Sequence, residues 1–474
     1  MPGLTDILSL AHSGLTAARV GIHTVGQNVS NSNTPGYHRR VHTQETRQGV
    51  KVGGNYFLGM GVKTTGPERI VDDVIDNRRR NARSDMNFAG SRSNMLSRTE
   101  VIFGDLDSVG LTPALDRFFD ALDALTAQPQ DAAIRTQALS AAEFLANQVA
   151  DRAQDLRDIR QSLDEIVVSE VGSINTKLAE IAELNEKLRF QPASPNDLLD
   201  QRANLLDSLA EQIGVNVLDN GDGTVNVFLD NGFALVLENE ARELTAAVAP
   251  TGLVNVFATN TVHDATGTLD LTSNLNGGSL GGVLAARDQD ILQLQENLDQ
   301  FAFDFINSVN AVHVAGAGLD GVSGRNLFTP PPPGVTGAAE SMSIDAAVAG
   351  NTDALATRSV IPGPPPVPAG LGDNQNALDL AALRDINLAS GAPPAETIRS
   401  ILGAFGDRVH VAEIDVVTSV AAEKSITDLQ QSISGVNIDE EMLNMLKFRE
   451  AFSAAAKMVR TADEMIQEVI ALKR

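Results

Sequence analysis

Apolar positions recur along this chain with two periods, and the longer one marks both ends. Near the N-terminus Leu4, Leu8, Ala11, Leu15, Ala18, Ile22, Val25 and Val29 are alternately four and three apart, the pattern of a helix that pairs along one seam. Met445, Phe448, Phe452, Ala455, Val459, Ala462, Ile466 and Val469 repeat it near the C-terminus. Each seam spans roughly 37 Å at the α-helical rise. Gly14, Gly21 and Gly26 make the first helix weak alone, at about 1 kcal/mol each relative to alanine, so it needs a partner. Gly14 and Gly21, seven apart, share a face where a neighbouring helix can come close. Asn33-Thr34-Pro35-Gly36 predicts the stop of this helix. Asn437 with Glu440 three residues on, beside Asp439 and Glu441, predicts the start of the last.

Between the ends, helical spacing covers 112–190, with a long seam at Val167, Val171, Ile174, Leu178, Ile181, Asn185 and Leu188, and then 196–213. From 215 to 275 the period falls to two at Val215 and Val217, Val225, Val227 and Leu229, and Leu235 and Leu237, with Asp-Asn-Gly turns between, which predicts a small antiparallel β unit. Helical spacing returns at Leu284, Ile291, Leu298, Phe305 and Val312, and over about 396–433. The stretch 329–395 carries prolines at 330–333 and again at 362, 364–366 and 368; these runs are expected to be extended, exposed connectors, with at most some short structure between them, for example around Ser341 to Ala347, and no independent domain.

Composition sharpens this picture. The 474 residues call for two or three domains. Apolar residues make up 43% but aromatics only 4%, with no Trp and two Tyr, so the core must rest on Leu, Ile, Val and Ala, which favours helices. A net charge of −25 argues against nucleic-acid binding. The charge is uneven: residues 1–100 hold 13 Lys and Arg against 8 Asp and Glu, leaving −30 for the remainder. With no cysteine there is no disulfide, thiolate chemistry or cysteine-ligated zinc. No cleaved secretory signal is visible and no apolar run approaches a membrane span, so export would need another route.

Candidate chemistry reads as structure. Arg78-Arg79-Arg80, ringed by Asp72, Asp73, Asp76 and Asp85, is expected to be a solvated helix face. His38 and His42 have metal-ligand spacing on a helix but follow a Pro-Gly turn with no third ligand nearby. Asp219-Asn220-Gly221-Asp222-Gly223 resembles the start of a calcium loop without the distal glutamate, so a hairpin turn is expected. Gly59-Met60-Gly61 lacks the rest of a dinucleotide fingerprint. No catalytic, cofactor or metal residue is assigned.

The motifs at the ends carry a resemblance. Asn28-Val29-Ser30-Asn31-Ser32-Asn33-Thr34-Pro35-Gly36-Tyr37, followed by Arg39-Arg40, is similar to the signature of the flagellar axial family of rod, hook and junction subunits. Ser434-Gly435-Val436-Asn437-Ile438-Asp439-Glu440-Glu441-Met442, Lys457 and Thr461-Ala462-Asp463-Glu464-Met465 resemble the hook-associated protein 1 (FlgK) branch. So do Phe103-Gly104, Leu115 to Leu122 with Phe118-Phe119, Leu198 to Leu206 with Asp200-Gln201-Arg202, and Gly223 to Val227. Arg449-Glu450 and Phe452 depart from the family's usual amides and tyrosine, and the outer domain of its larger members is missing.

The expected fold is mainly α: paired terminal coiled-coil helices (1–45 and 435–474), a long-helix bundle (46–214 and 279–434, with the Pro-rich connector 329–395) and a small inserted antiparallel β subdomain (215–278). The resemblance implies a structural, non-enzymatic subunit joining hook to filament and forming the wall of a tube. Its implied partners are further copies, the hook protein, a second junction protein and an export chaperone, with no nucleic acid, no membrane insertion and no cofactor. Type III export would place it outside the cell. The expected assembly interface is Leu8, Ala11, Leu15, Ala18, Ile22, Val25, Val29, Asn31, Thr34, Pro35, Gly36 and Tyr37 with the eight residues of the C-terminal seam. The terminal helices are expected to be largely unfolded before assembly. Other readings are another rod, hook or junction subunit, or a secreted degradative enzyme or adhesin with coiled-coil ends.

Overall fold

In a computed structural model that describes residues 2–51, 57–103, 110–190, 196–260 and 267–472, helix α1 (Pro2–Ser30) ends three residues before the Asn33–Gly36 turn. The side chain of Leu4 and residue Gly104 lie outside the described set. A β-ribbon follows: β1 (Arg40–Thr46) pairs antiparallel with β4 (Val62–Arg69), and near its tip β2 (Val50–Lys51) pairs with β3 (Phe57–Leu58). No period in the sequence announced this ribbon, because its two long strands are mostly polar and the pair at its tip has two residues each.

Two of the long helices that follow begin at side-chain caps. Asp72 accepts from the backbone of Val74 and Ile75 (3.0 and 3.2 Å) to open α2 (Asp73–Phe103). Pro129 separates α3 (Leu111–Ala127) from α4 (Ala132–Phe190), which Asp131 caps at the backbone of Ala133 and Ile134 (2.8 and 3.1 Å). The predicted seam of α4, from Val167 through Asn185 to Leu188, is buried throughout. After α5 (Asn196–Gln212) come two small antiparallel sheets. One runs β5 (Asn216–Asp219), β6 (Val225–Phe228), β7 (Ala234–Leu237) and β8 (Glu240–Ala241) in order; the other places β10 (Val254–Asn260) between β9 (Leu244–Val248) and β11 (Gly267–Asp270).

Two asparagines of α4, ten residues apart, fasten these sheets. Asn175 donates to Leu244 O (2.7 Å) and accepts from its N–H (2.9 Å); Asn185 does the same with Val225 (2.8 and 3.2 Å). Asn185 therefore belongs to the seam as a clasp rather than as packing. The predicted hairpin turn forms, with the Asp219 and Asp222 carboxylates accepting from the backbone of Gly221 and Thr224 (2.7 and 2.9 Å).

Helix α6 (Gly278–Ala285) runs through a π-turn at 286–290 into α7 (Ile291–Ala315). The wider turn aims Arg287, fully buried, at Asp164 of α4 (2.6 Å) and Val254 O (2.7 Å). Five of the phenylalanines, Phe118, Phe119, Phe301, Phe305 and Phe328, pack in one cluster, mostly edge-on or tilted, with centroids 5.2 to 6.3 Å apart.

Two expectations need correction. Much of 329–395 is docked on the bundle, not exposed: Ala338, Ala339, Met342, Val348, Leu355, Ala377 and Leu380 belong to the core. Buried polar side chains hold its irregular backbone. Asp299 accepts from Gly337 and Ala339 N–H (2.9 and 3.0 Å), and Arg135 donates to the carbonyls of Thr352 and Leu355 (2.8 and 2.6 Å). The proline runs themselves are more open: Pro330 and Pro333 lie at the surface, and so does the second run, between β12 (Val360–Ile361) and β13 (Val367–Pro368), before α8 (Gln375–Ala382). The arginine cluster likewise divides. Arg78 is solvated, but Arg79 and Arg80 are buried against Asp207 of α5, so charge spacing alone misjudged which face of α2 looks inward.

The last two helices are α9 (Pro394–Ser434), lying along α2, and α10 (Ile438–Ala471), lying along α1. Asn437 caps α10 by accepting from Asp439 and Glu440 N–H (3.0 and 3.4 Å), while the Glu440 carboxylate turns to Arg39 (3.2 Å).

Candidate assembly interface

Helices α1 and α10 pack antiparallel through small residues. A Cβ on Gly14 would lie 3.5 Å from Ala455, and one on Gly21 would collide with the Phe448 ring at 2.6 Å. Asn28 bonds Glu441 directly at 3.0 Å. The inward face of α1 is thus Ala11, Gly14, Ala18, Gly21, Val25 and Asn28, and its other buried face, Ser13, Ala17 and Thr24, lies toward the ribbon, where Ser13 Oγ accepts from Val62 N–H (3.3 Å). Leu8, Leu15, Ile22 and Val29 are only half-buried. The sequence-predicted seam is offset by part of a turn, because glycine and alanine admit the closest approach and displace the bulky side chains to the flank.

On α10, Ala455 and Ala462 are buried, Met445, Phe448, Val459, Ile466 and Val469 half-buried, and Phe452 exposed. Outside the pair, Met442, Leu443, Leu446, Met458, Met465 and Ile470 also stand open to solvent, by 41 to 61%. In the signature loop Asn31 and Tyr37 are half-buried, and Thr34, Pro35 and Gly36 lie at the surface, Gly36 with φ +73° against the Asn204 side chain.

Beneath the loop lies a polar clamp. Asn28 donates to Arg40 O (2.8 Å) and Glu441, and accepts from Arg40 N–H (3.0 Å) and the Tyr37 hydroxyl (2.8 Å). Glu441, 2% exposed, also receives Arg39 Nε at 2.9 Å. Arg40 reaches Asp197 and Asp200 of α5 (2.6 and 2.9 Å), and His38 Nδ1 lies 3.0 Å from Asp200 and 2.9 Å from an Arg69 Nη. Burial alone would raise the pKa of Asp200, yet His38, Arg69 and Arg40 overcome it and hold the carboxyl below its ordinary value. The clamp ties α1, α10, the ribbon and α5 together. None of Asn28, His38, Arg39, Arg40, Asp200 and Glu441 stands among the predicted interface residues. The available signal was that Asn28 continues the Gly14, Gly21 column by seven.

His38 and His42 lie just before and within β1, not on a helix. His42 packs edge-on to Phe448 (6.1 Å), and desolvation lowers its pKa. Among the described residues no cluster of three or more His, Asp or Glu is placed to hold a metal, and no helix is long and apolar enough to cross a membrane.

Residues 96–328 match the family described as flagellar hook-associated protein FlgK helical domain, and 430–472 match the flagellar basal body rod FlgEFG protein C-terminal family. Flagellar hook-associated protein 1 of Salmonella typhimurium is 27% identical over 559 aligned positions, covering 99% of this chain and 100% of that protein. The Bacillus subtilis protein of that name is 26% identical, covering 98% and 97%. The alignment of 559 positions against 474 residues means that the Salmonella protein has segments with no counterpart here. The flagellar hook junction protein FlgK from Burkholderia pseudomallei has the same fold, with a TM-score of 0.67 at 19% identity over 76% of this chain and 100% of that one. Helical-domain and C-terminal matches on one chain, with end-to-end relatives in distant bacteria, place it in the flagellar hook-associated protein 1 (FlgK) family.

Proposed function

We propose that this chain is the structural subunit that joins hook to filament in the bacterial flagellum and that it polymerises through its terminal helix pair. The carrying observation is that α1 and α10 cover only one stripe of each other, leaving Met442, Leu443, Leu446, Met458, Met465 and Ile470 of α10 uncovered by the rest of the chain. An apolar flank of this length is poorly tolerated in a free protein and is satisfied by copies side by side in a tube wall. The signature loop and the clamp beneath it set the angle between pair and bundle, so the bundle stands outside the wall.

The partners that follow are further copies of the chain, the hook protein on one side, a second junction protein on the other, and a chaperone that shields the terminal helices before assembly. Export proceeds through the flagellar type III apparatus. The role is mechanical; no reaction is assigned to it. Deleting the gene tests the reading: cells should build hooks yet shed unattached filament protein into the medium. Normal filaments in that strain would refute it.

A further inference from the structure

We infer that the tip of the β-ribbon seats on the outer face of α9 in a neighbouring copy of this chain. The inference rests on the polymer reading above and names a contact within it. At the tip Val50, Phe57 and Leu58 are 51, 69 and 43% exposed, a large apolar surface on strands of two residues each. Arg47, Lys51 and Lys63 are exposed around it, and no Asp or Glu occurs from Thr46 to Pro67 in a chain of net charge −25. The tip is therefore a cationic, apolar prong on a strongly acidic molecule. The ribbon's base lies along α1, while Val50, Phe57 and Leu58 at the prong stay open to solvent among the described residues.

The matching surface is on α9. That helix lies along α2 on one side, with Val409 and Ala412 buried, and on its other side Val411, Ile414 and Val417 are 50, 50 and 71% exposed. Asp407 and Glu413 border this strip, whereas Arg408 turns inward to Asp290 (3.2 Å). Apolar area edged by carboxylates is what a cationic apolar prong requires. The exposed flank of α10 is a poorer seat: its middle carries Lys447, Arg449, Lys457 and Arg460 against one acid, Glu450, and repels the prong. Opposite charge also steers the approach of successive subunits.

Because the chain has no cysteine, a disulfide can report this contact alone. Cells would assemble flagella from a Phe57→Cys, Ile414→Cys double variant, and isolated hook-filament structures would be oxidised and resolved by size. A ladder of covalent multimers is expected, absent from either single variant and weakened by Lys51→Glu, with Glu413→Lys in the same chain restoring it. A Leu58→Cys, Val411→Cys pair repeats the measurement should the first variant fail to assemble. Motile cells with no ladder from either pair, or a fast-migrating internally linked monomer, would overturn the contact. Those results leave the junction reading intact, since only the deletion phenotype decides that.

Discussion

Asn28 has four hydrogen-bonding valences, and the fold uses all of them at 1% exposure. Asn28→Ala strands the Arg40 backbone and one oxygen of Glu441 away from water and removes the acceptor of the Tyr37 hydroxyl. A loss of about 3 kcal/mol is expected, read as a lower urea midpoint for the full chain. Asp200 gives the clamp a pH dependence. Its folded pKa lies below the ordinary 3.8, so the stability it contributes is complete above 3.8 and disappears as pH falls through the lower folded value. The stability gap between wild type and Asp200→Asn should therefore be constant at neutral pH and shrink below 3.8, as followed by urea titration at stepped pH. Neither residue was legible as part of an interface: a buried polar clamp has no period, and each member looks like an ordinary surface residue until the chain brings 28, 200 and 441 together.

Among the elements, the terminal pair shows what periodicity can and cannot say. Both helices and the α10 cap were readable, because heptad spacing, a Pro-Gly stop and an Asn-x-x-Glu start act locally. Which stripe faced inward was not, since the spacing ranks Leu15 and Ile22 as seam while close packing selects Gly14 and Gly21. Gly21→Ala tests this directly. Helix propensity alone favours it by about 1 kcal/mol, yet the new methyl enters the Phe448 ring, and a net loss of about 1–3 kcal/mol is expected in thermal or urea unfolding. Phe448→Leu in the same chain should recover part of it; an additive loss would mean that the two positions do not touch. The docked stretch 338–388 escaped the sequence for a different reason, because its anchors Arg135 and Asp299 lie on distant helices.

For the whole molecule, the bundle owns a continuous core from Leu96 to Ala412, whereas the terminal pair adds few fully buried apolar residues: Ala11, Ala17, Ala18 and Val25 on α1, Ala455 and Ala462 on α10. Stability should divide the same way. Limited proteolysis of purified chain should trim both ends before cutting the bundle, with mass spectrometry locating the first cuts in α1 and α10. Equal protection of ends and middle would show that the pair is stable without neighbours.

A repeat of seven cannot tell one alignment from the next. Sliding α10 by a heptad along α1 would set Gly14 against Phe448, or Gly21 against Ala455, and keep small residues opposite apolar ones either way. The bond from Asn28 to Glu441, with Arg39 on the same carboxylate, distinguishes the true setting. That single polar tooth works as an index pin, and replacing both residues with leucine should leave helices that still associate but share several alignments, so that the subunit would no longer have one fixed length.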